Sequence, residues 1–142
     1  MTRSQIISDL MDCLGEIKPE NGFSTRPAEI KRGIHLAEEM NDLPGLTLFN
    51  ERVETTDAAS QSAERLLVLH LWGAARAPHS DYSGLDQLAA DCMKALGDPD
   101  LNPHWARTSA TRLEVYEGGA GDPLGLFDLE IEVTYESPLH QL

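Results

Sequence analysis

Between Leu126 and Tyr135 the chain reads LFDLEIEVTY, and the alternation is strict. Phe127, Leu129, Ile131, Val133 and Tyr135 occupy one set of positions, with Asp128, Glu130, Glu132 and Thr134 between them. Side chains on a strand point to opposite faces with period two, so this segment must lay an apolar face on a core and turn a row of carboxylates outward. Such a strand demands a two-layer fold with something packed on one side of a sheet. Three acids spaced two apart repel one another, so the row is either solvated or faces something that must not adhere.

The remaining acids strengthen that reading. The chain has 142 residues, with 24 acidic and 11 basic side chains and a formal net charge of −13. Such a balance opposes binding to nucleic-acid phosphates, which needs clustered Lys and Arg, and it opposes docking on anionic membrane. No apolar run is long enough to span a bilayer, and the N-terminus lacks a secretory h-region. The length suits a single domain over residues 1–142. Cys13 and Cys92 are too few for a disulfide framework and fall on apolar helix positions, so the expectation is two reduced core thiols.

A first helix is expected from about Arg3 to Lys18, because Ile6, Leu10, Cys13, Leu14 and Ile17 form one stripe. Thr2 and Gln5 fit a capping box, and Pro19 with Gly22 ends the helix. Pro27 suits the start of an edge strand in GFSTRPAEIKRGI. A short polar turn is expected over Leu36 to Asn41, then a strand over Leu46 to Glu54. Thr55 to Ala63 is small and polar, the composition of a mobile hairpin tip. Arg65 to Arg76 is apolar on both faces and reads as a central strand. Ser83 and Asp86 are placed to cap a second helix lined by Leu85, Leu88, Cys92 and Leu96, with Gly97-Asp98-Pro99 as its stop. Thr111 to Glu117 and Leu126 to Glu136 form a closing hairpin across Gly118–Pro123. The order is helix, three strands, helix, two strands. The expected class is α+β, a mostly antiparallel sheet of about five strands with two main helices packed on it.

The sequence offers little for catalysis. The five histidines lack the i, i+4 spacing of a helical zinc site, and none lies near a cysteine. His70, in the expected central strand, reads as a hydrogen-bonded core histidine. His79-Ser80-Asp81 holds the residue types of a hydrolase triad, but adjacent residues cannot reach one another in that geometry; a turn with a helix-capping role is the better reading. Gly118–Gly121 lacks the Lys and Ser/Thr of a P-loop. Asp128, Glu130 and Glu132 carry oxygen ligands, yet alternate strand residues lie about 7 Å apart, too far for one cation site without partners from elsewhere. No catalytic residue, metal ligand or cofactor site is assigned. The expectation is a structural or binding protein, not an enzyme.

Taken together, the N-terminal helix IISDLMDCLGEI, GFSTRPAEIKRGI, LPGLTLFNERVE, the apolar strand LLVLHLWGAA, DYSGLDQLAADCMKAL and the final EIEVTYESP resemble the tail terminator family of long-tailed bacteriophages, also called minor tail protein U or tail completion proteins. The resemblance runs from about Ile6 to Pro138 and lies in the order of elements. It implies a small α+β subunit of a sixfold ring at the head-proximal end of the tail tube, assembled in the host cytoplasm and retained in the virion. The ring stops polymerisation of tube protein and presents the surface to which head–tail connector proteins join. DNA passes through the hole without specific binding, and no membrane or cofactor takes part. Six copies of an acidic chain would supply a repulsive field for that passage.

On this reading Asp128, Glu130 and Glu132 are candidates for an acidic lumen face. Arg65 and Arg76 are candidates for pairing across subunits. Thr55 and Asp57 in the expected tip, and Asp122 in the glycine-rich loop, are candidates for contacts outside the subunit. Two other readings fit the same composition. One is a head–tail neck connector or stopper, which shares the ring architecture. The other is an acidic DNA-mimic inhibitor, which needs carboxylates spaced like phosphates.

Overall fold

The computed structural model describes residues 1–35, 40–118 and 123–142. Helix α1 spans Arg3–Gly15, strands β1, β2 and β3 span Glu29–Arg32, Gly45–Ala58 and Ser62–Arg76, helix α2 spans Ser83–Leu96, and β4 and β5 span Thr108–Glu117 and Leu124–Pro138. The fold is α+β. One five-stranded sheet runs in the order β1-β2-β3-β5-β4. Every neighbouring pair is antiparallel except β1 with β2, which is parallel. Among the described residues no helix is long and apolar enough to cross a membrane.

The two helices cover the inner face of the sheet because their stripes match its period-two positions. Ile6, Leu10, Cys13, Leu14 and Ile17 are all buried, as are Leu85, Leu88, Cys92 and Leu96. They meet Leu46 and Leu48 of β2, Leu67, Leu69 and Leu71 of β3, and the alternating apolar set of β5. Each buried Leu or Ile contributes roughly 1.5–3 kcal/mol relative to exposure, so this layer dominates stability. Close approach matters at Gly73, where a Cβ would come within 2.0 Å of the Phe127 ring on the neighbouring strand. The Cys13 thiol donates to the Ala95 carbonyl at 3.3 Å, and burial pushes its pKa up to about 12.

Several element boundaries differ from the expectation for identifiable reasons. Helix α1 stops at Gly15, not Lys18, and the chain continues into a 3-10 turn at Pro19–Asn21 closed by Gly22 at φ +88°. The Gln5 amide donates to Thr2 Oγ1, as the capping pattern requires. Ser83 does not cap α2. It is the first helical residue, and Asp81 Oδ1 accepts its amide at 3.0 Å. That hydrogen bond holds the Asp81 carboxyl below its ordinary pKa. The turn His79-Ser80-Asp81 therefore has the capping role expected of it, with His79 and Ser80 both at positive φ.

Thr55–Ala63 holds the expected hairpin connection, but the tip is shorter than expected. Strands β2 and β3 continue into this segment, pairing Thr55 with Arg65, Asp57 with Glu64 and Ala58 with Ala63. Only residues 59–61 turn, closed by the Ala59 amide on the Ser62 carbonyl at 2.8 Å. The expected turn over Leu36–Asn41 falls largely outside the described residues.

Candidate functional site: the outer face and open edge of the sheet

The face of the sheet away from the helices is built on the strict alternation of Phe127 to Tyr135. Phe127, Leu129, Ile131, Val133 and Tyr135 are buried, while Asp128, Glu130, Glu132 and Thr134 are half-buried on the opposite side. Register places His70 beside Glu130 and Trp72 beside Asp128 on β3, and Arg112 and Glu114 beside the same two acids on β4. His70, Arg112, Glu114, Asp128 and Glu130 line one small polar hollow.

His70 is the centre of this face. Its Nδ1 lies 2.7 Å from Asp128 Oδ1, and its Nε2 lies 3.4 Å from Glu51 Oε1. Phe49 stacks on the imidazole with ring centroids 5.4 Å apart, and Trp72 meets Phe49 edge-on. Burial disfavours the imidazolium, but the hydrogen bonds and charges of Asp128 and Glu51 outweigh it, so the His70 pKa is raised. His70 is thus hydrogen-bonded as expected, but on the polar face and not in the helix-covered core. The carboxylate row is accordingly not bare. Asp128 is engaged by His70, Arg112 pairs with Glu114, and Arg52 pairs with Glu51 and Glu54. Among the described residues no group of three or more His, Cys, Asp or Glu is arranged to hold a metal ion.

The other candidates separate. Arg65 is only 7% exposed, and its guanidinium donates to Ser137 Oγ, Thr55 Oγ1 and the Leu139 carbonyl. Its hydrogen bonds are made within the chain, where it fastens the C-terminal segment to the sheet. Thr55 is a partner in that network while remaining exposed. Asp57 lies exposed on β2, and Arg76 lies exposed at the end of β3. Asp122 lies outside the described residues. The structure therefore brings Asp128 and Glu130 together with His70 and Arg112, places Glu132 further along the same face, and leaves Arg76 and Asp57 apart from them.

A second feature went unmarked in the sequence. Among the described residues β4 is one of the two edge strands, and the helical layer stops short of it. Leu113 and Val115 sit on the core-side face opposite Leu129 and Phe127, yet they are 40% and 45% exposed. On the other face Tyr116 and its cross-strand neighbour Leu126 are 50% and 39% exposed. The end of the β4–β5 hairpin is therefore apolar on both sides and wet on both sides. TRLEVYE reads as an ordinary half-buried strand, and only the reach of the helices reveals that its apolar face is uncovered. No protein-family model matches this chain, and no curated protein matches it significantly.

Proposed function

We propose that this chain is a structural assembly protein, a tail terminator whose subunits form a ring on the head-proximal end of a phage tail tube. The observation that carries the reading is the β4–β5 hairpin. Among the described residues the outer side of β4 has no strand partner, and exposed Leu113, Val115, Tyr116 and Leu126 lie beside it. An apolar patch at a sheet edge is a feature that a partner ordinarily covers. The α+β order of elements agrees with the resemblance in sequence. The acidic outer face suits a wall past which DNA slides, because half-buried carboxylates repel phosphate and offer it no cationic cluster.

In this mechanism no covalent bond changes. One face of the ring binds the last ring of tube protein, the other offers head–tail connector proteins a surface, and neither presents the contact that adds another tube ring. The test is a capping assay. Purified tube protein is polymerised with and without this chain, and tube lengths and ends are read by negative-stain imaging. Shortened tubes bearing an extra ring at one end support the proposal. An unchanged length distribution with bare ends at saturating concentration refutes it.

A further inference from the structure

Strand β2 has two strand neighbours over its first residues and one over the rest. Strand β1 pairs with residues 45–48, and from Phe49 to Ala58 the described strand neighbour of β2 is β3 alone. The register is interrupted inside this second part. Asn50 lies opposite Leu69 and Arg52 opposite Val68, so Glu51 is the extra residue of a bulge. A bulge re-aims a side chain, and here it brings Glu51 to His70 on the outer face. The imidazole thus stands between carboxylates from two different strands. Asp128 of β5 lies 2.7 Å from Nδ1, and Glu51 of β2 lies 3.4 Å from Nε2. A neutral imidazole carries one N–H, so it serves one carboxylate and turns a lone pair toward the other, whereas the imidazolium serves both. Phe49 stacked on the ring, with Trp72 edge-on to Phe49, holds the orientation that aims each nitrogen.

We propose that His70 is a proton-operated clasp, whose charged form ties Glu51 in the β2 bulge, across β3, to Asp128 of β5, and whose neutral form lets Glu51 go. When the proton is lost, the remaining N–H stays with Asp128, the shorter contact, and Glu51 faces a lone pair. Glu51 Oε2 is engaged by Arg52, so the released carboxylate turns to a group on its own strand and the side-chain tie from the bulge to β5 is gone. The other charged groups around the ring take both sides. Glu130 beside His70 on β5 and Glu114 on β4 favour the imidazolium, and Arg112 on β4, itself paired with Glu114, opposes it. Arg52 on β2 is taken up by Glu51 and Glu54. Burial works against the charged ring, but Asp128 and Glu51 outweigh it, so the pKa of His70 is raised. The clasp is therefore closed below the ordinary histidine value of about 6.5 and opens as pH rises through the folded value. Opening also removes one positive charge from the hollow, so whatever meets this face meets a pH-dependent charge. The clasp stands apart from the ring reading and does not depend on it.

The test is an NMR pH titration of the full chain that follows the His70 ring, the Glu51 side-chain carboxyl and the backbone amides of Glu51 and Arg52. The expected result is one shared step, in which the Glu51 carboxyl and both amides shift at the midpoint of the His70 ring. Glu51→Gln should lower that midpoint by about 0.5 unit or more, because it removes one of the two charges that hold the proton. Glu136→Gln, at an exposed position near the end of β5, should leave it in place. His70→Gln should abolish the shared step at the β2 amides and leave Glu51 with its own carboxylate titration. A His70 midpoint unmoved by Glu51→Gln would overturn the clasp. So would β2 amides that ignore the His70 step in the unsubstituted chain, or that keep it in His70→Gln. The capping assay bears on the ring reading alone, so the two can fail separately.

Discussion

His70 Nδ1 sits 2.7 Å from Asp128 Oδ1, so a strand that looked like a bare row of acids carries a hydrogen-bonded ion pair at its centre when the imidazole is protonated. Glu51 approaches the other ring nitrogen from β2, and Arg112, Glu114 and Glu130 complete the charged surroundings.

This pair has a defined pH signature. The folded pKa of His70 is raised, so its contribution to stability is complete below the unfolded value of about 6.5 and is lost as pH rises through the folded value. Asp128→Asn should cost roughly 1–2 kcal/mol at pH 6 and less at pH 8.5. Urea denaturation at both pH values, with an NMR titration of the His70 ring, measures this. A ring pKa unmoved by the substitution would refute the pairing.

Arg65 and Arg76 should behave oppositely. Arg65→Ala removes three hydrogen bonds from a buried guanidinium and should destabilise the fold by about 2–4 kcal/mol, while exposed Arg76→Ala should stay within about 0.5 kcal/mol. Denaturant midpoints of the two variants decide it. Similar midpoints would mean that the Arg65 network contributes little.

Gly73→Ala should be among the most damaging small substitutions in the chain. The added methyl collides with the Phe127 ring, and overpacking of this kind costs about 1–3 kcal/mol or more. Phe127→Leu alone is also expected to destabilise, but the double variant should lose less than the sum of the two. Strict additivity in a double-mutant cycle would remove the steric explanation.

Asp91 should prove structural despite being a buried carboxylate. It accepts the amides of Ser24 and Thr25 and the Thr25 hydroxyl, tying the segment before β1 to α2. Asp91→Ala leaves those donors unpaired and should cost about 2–3 kcal/mol. Hydrogen exchange at Ser24 and Thr25 should accelerate, and unchanged protection there would argue against the anchor.

The acidic face should matter to assembly and not to folding. Glu130→Lys with Glu132→Lys should leave the thermal midpoint within a few degrees, because both side chains are only half-buried. On the lumen reading the same variant should disturb DNA passage or head joining. Normal infectivity and normal tail length in a complementation assay would count against that reading.

Periodicity and punctuation carried most of the fold. The stripe from Ile6 to Ile17 and the alternation from Phe127 to Tyr135 declare which side each element buries, because side-chain direction follows from local backbone geometry alone. The apolar run of β3 likewise identifies it as the central strand. Composition located the β2–β3 tip within Thr55–Ala63 but made it too long. Cross-strand pairing and the bonds from Arg65 to Thr55 and Ser137 hold that segment extended, and neither is encoded within nine residues of chain.

What the sequence by itself determined was therefore the element order, the α+β class, the buried faces of α1, α2 and β5, and the acidity of the exposed face of β5. Tertiary structure alone decided that Asp128 meets His70 across 58 residues, that Arg65 is buried and partnered within the chain, and that Leu113 and Val115 lie beyond the helical layer. The physical reason is the range of the forces involved. Strand and helix periods are local properties, whereas register between strands and the reach of a packed layer depend on how distant segments share one core.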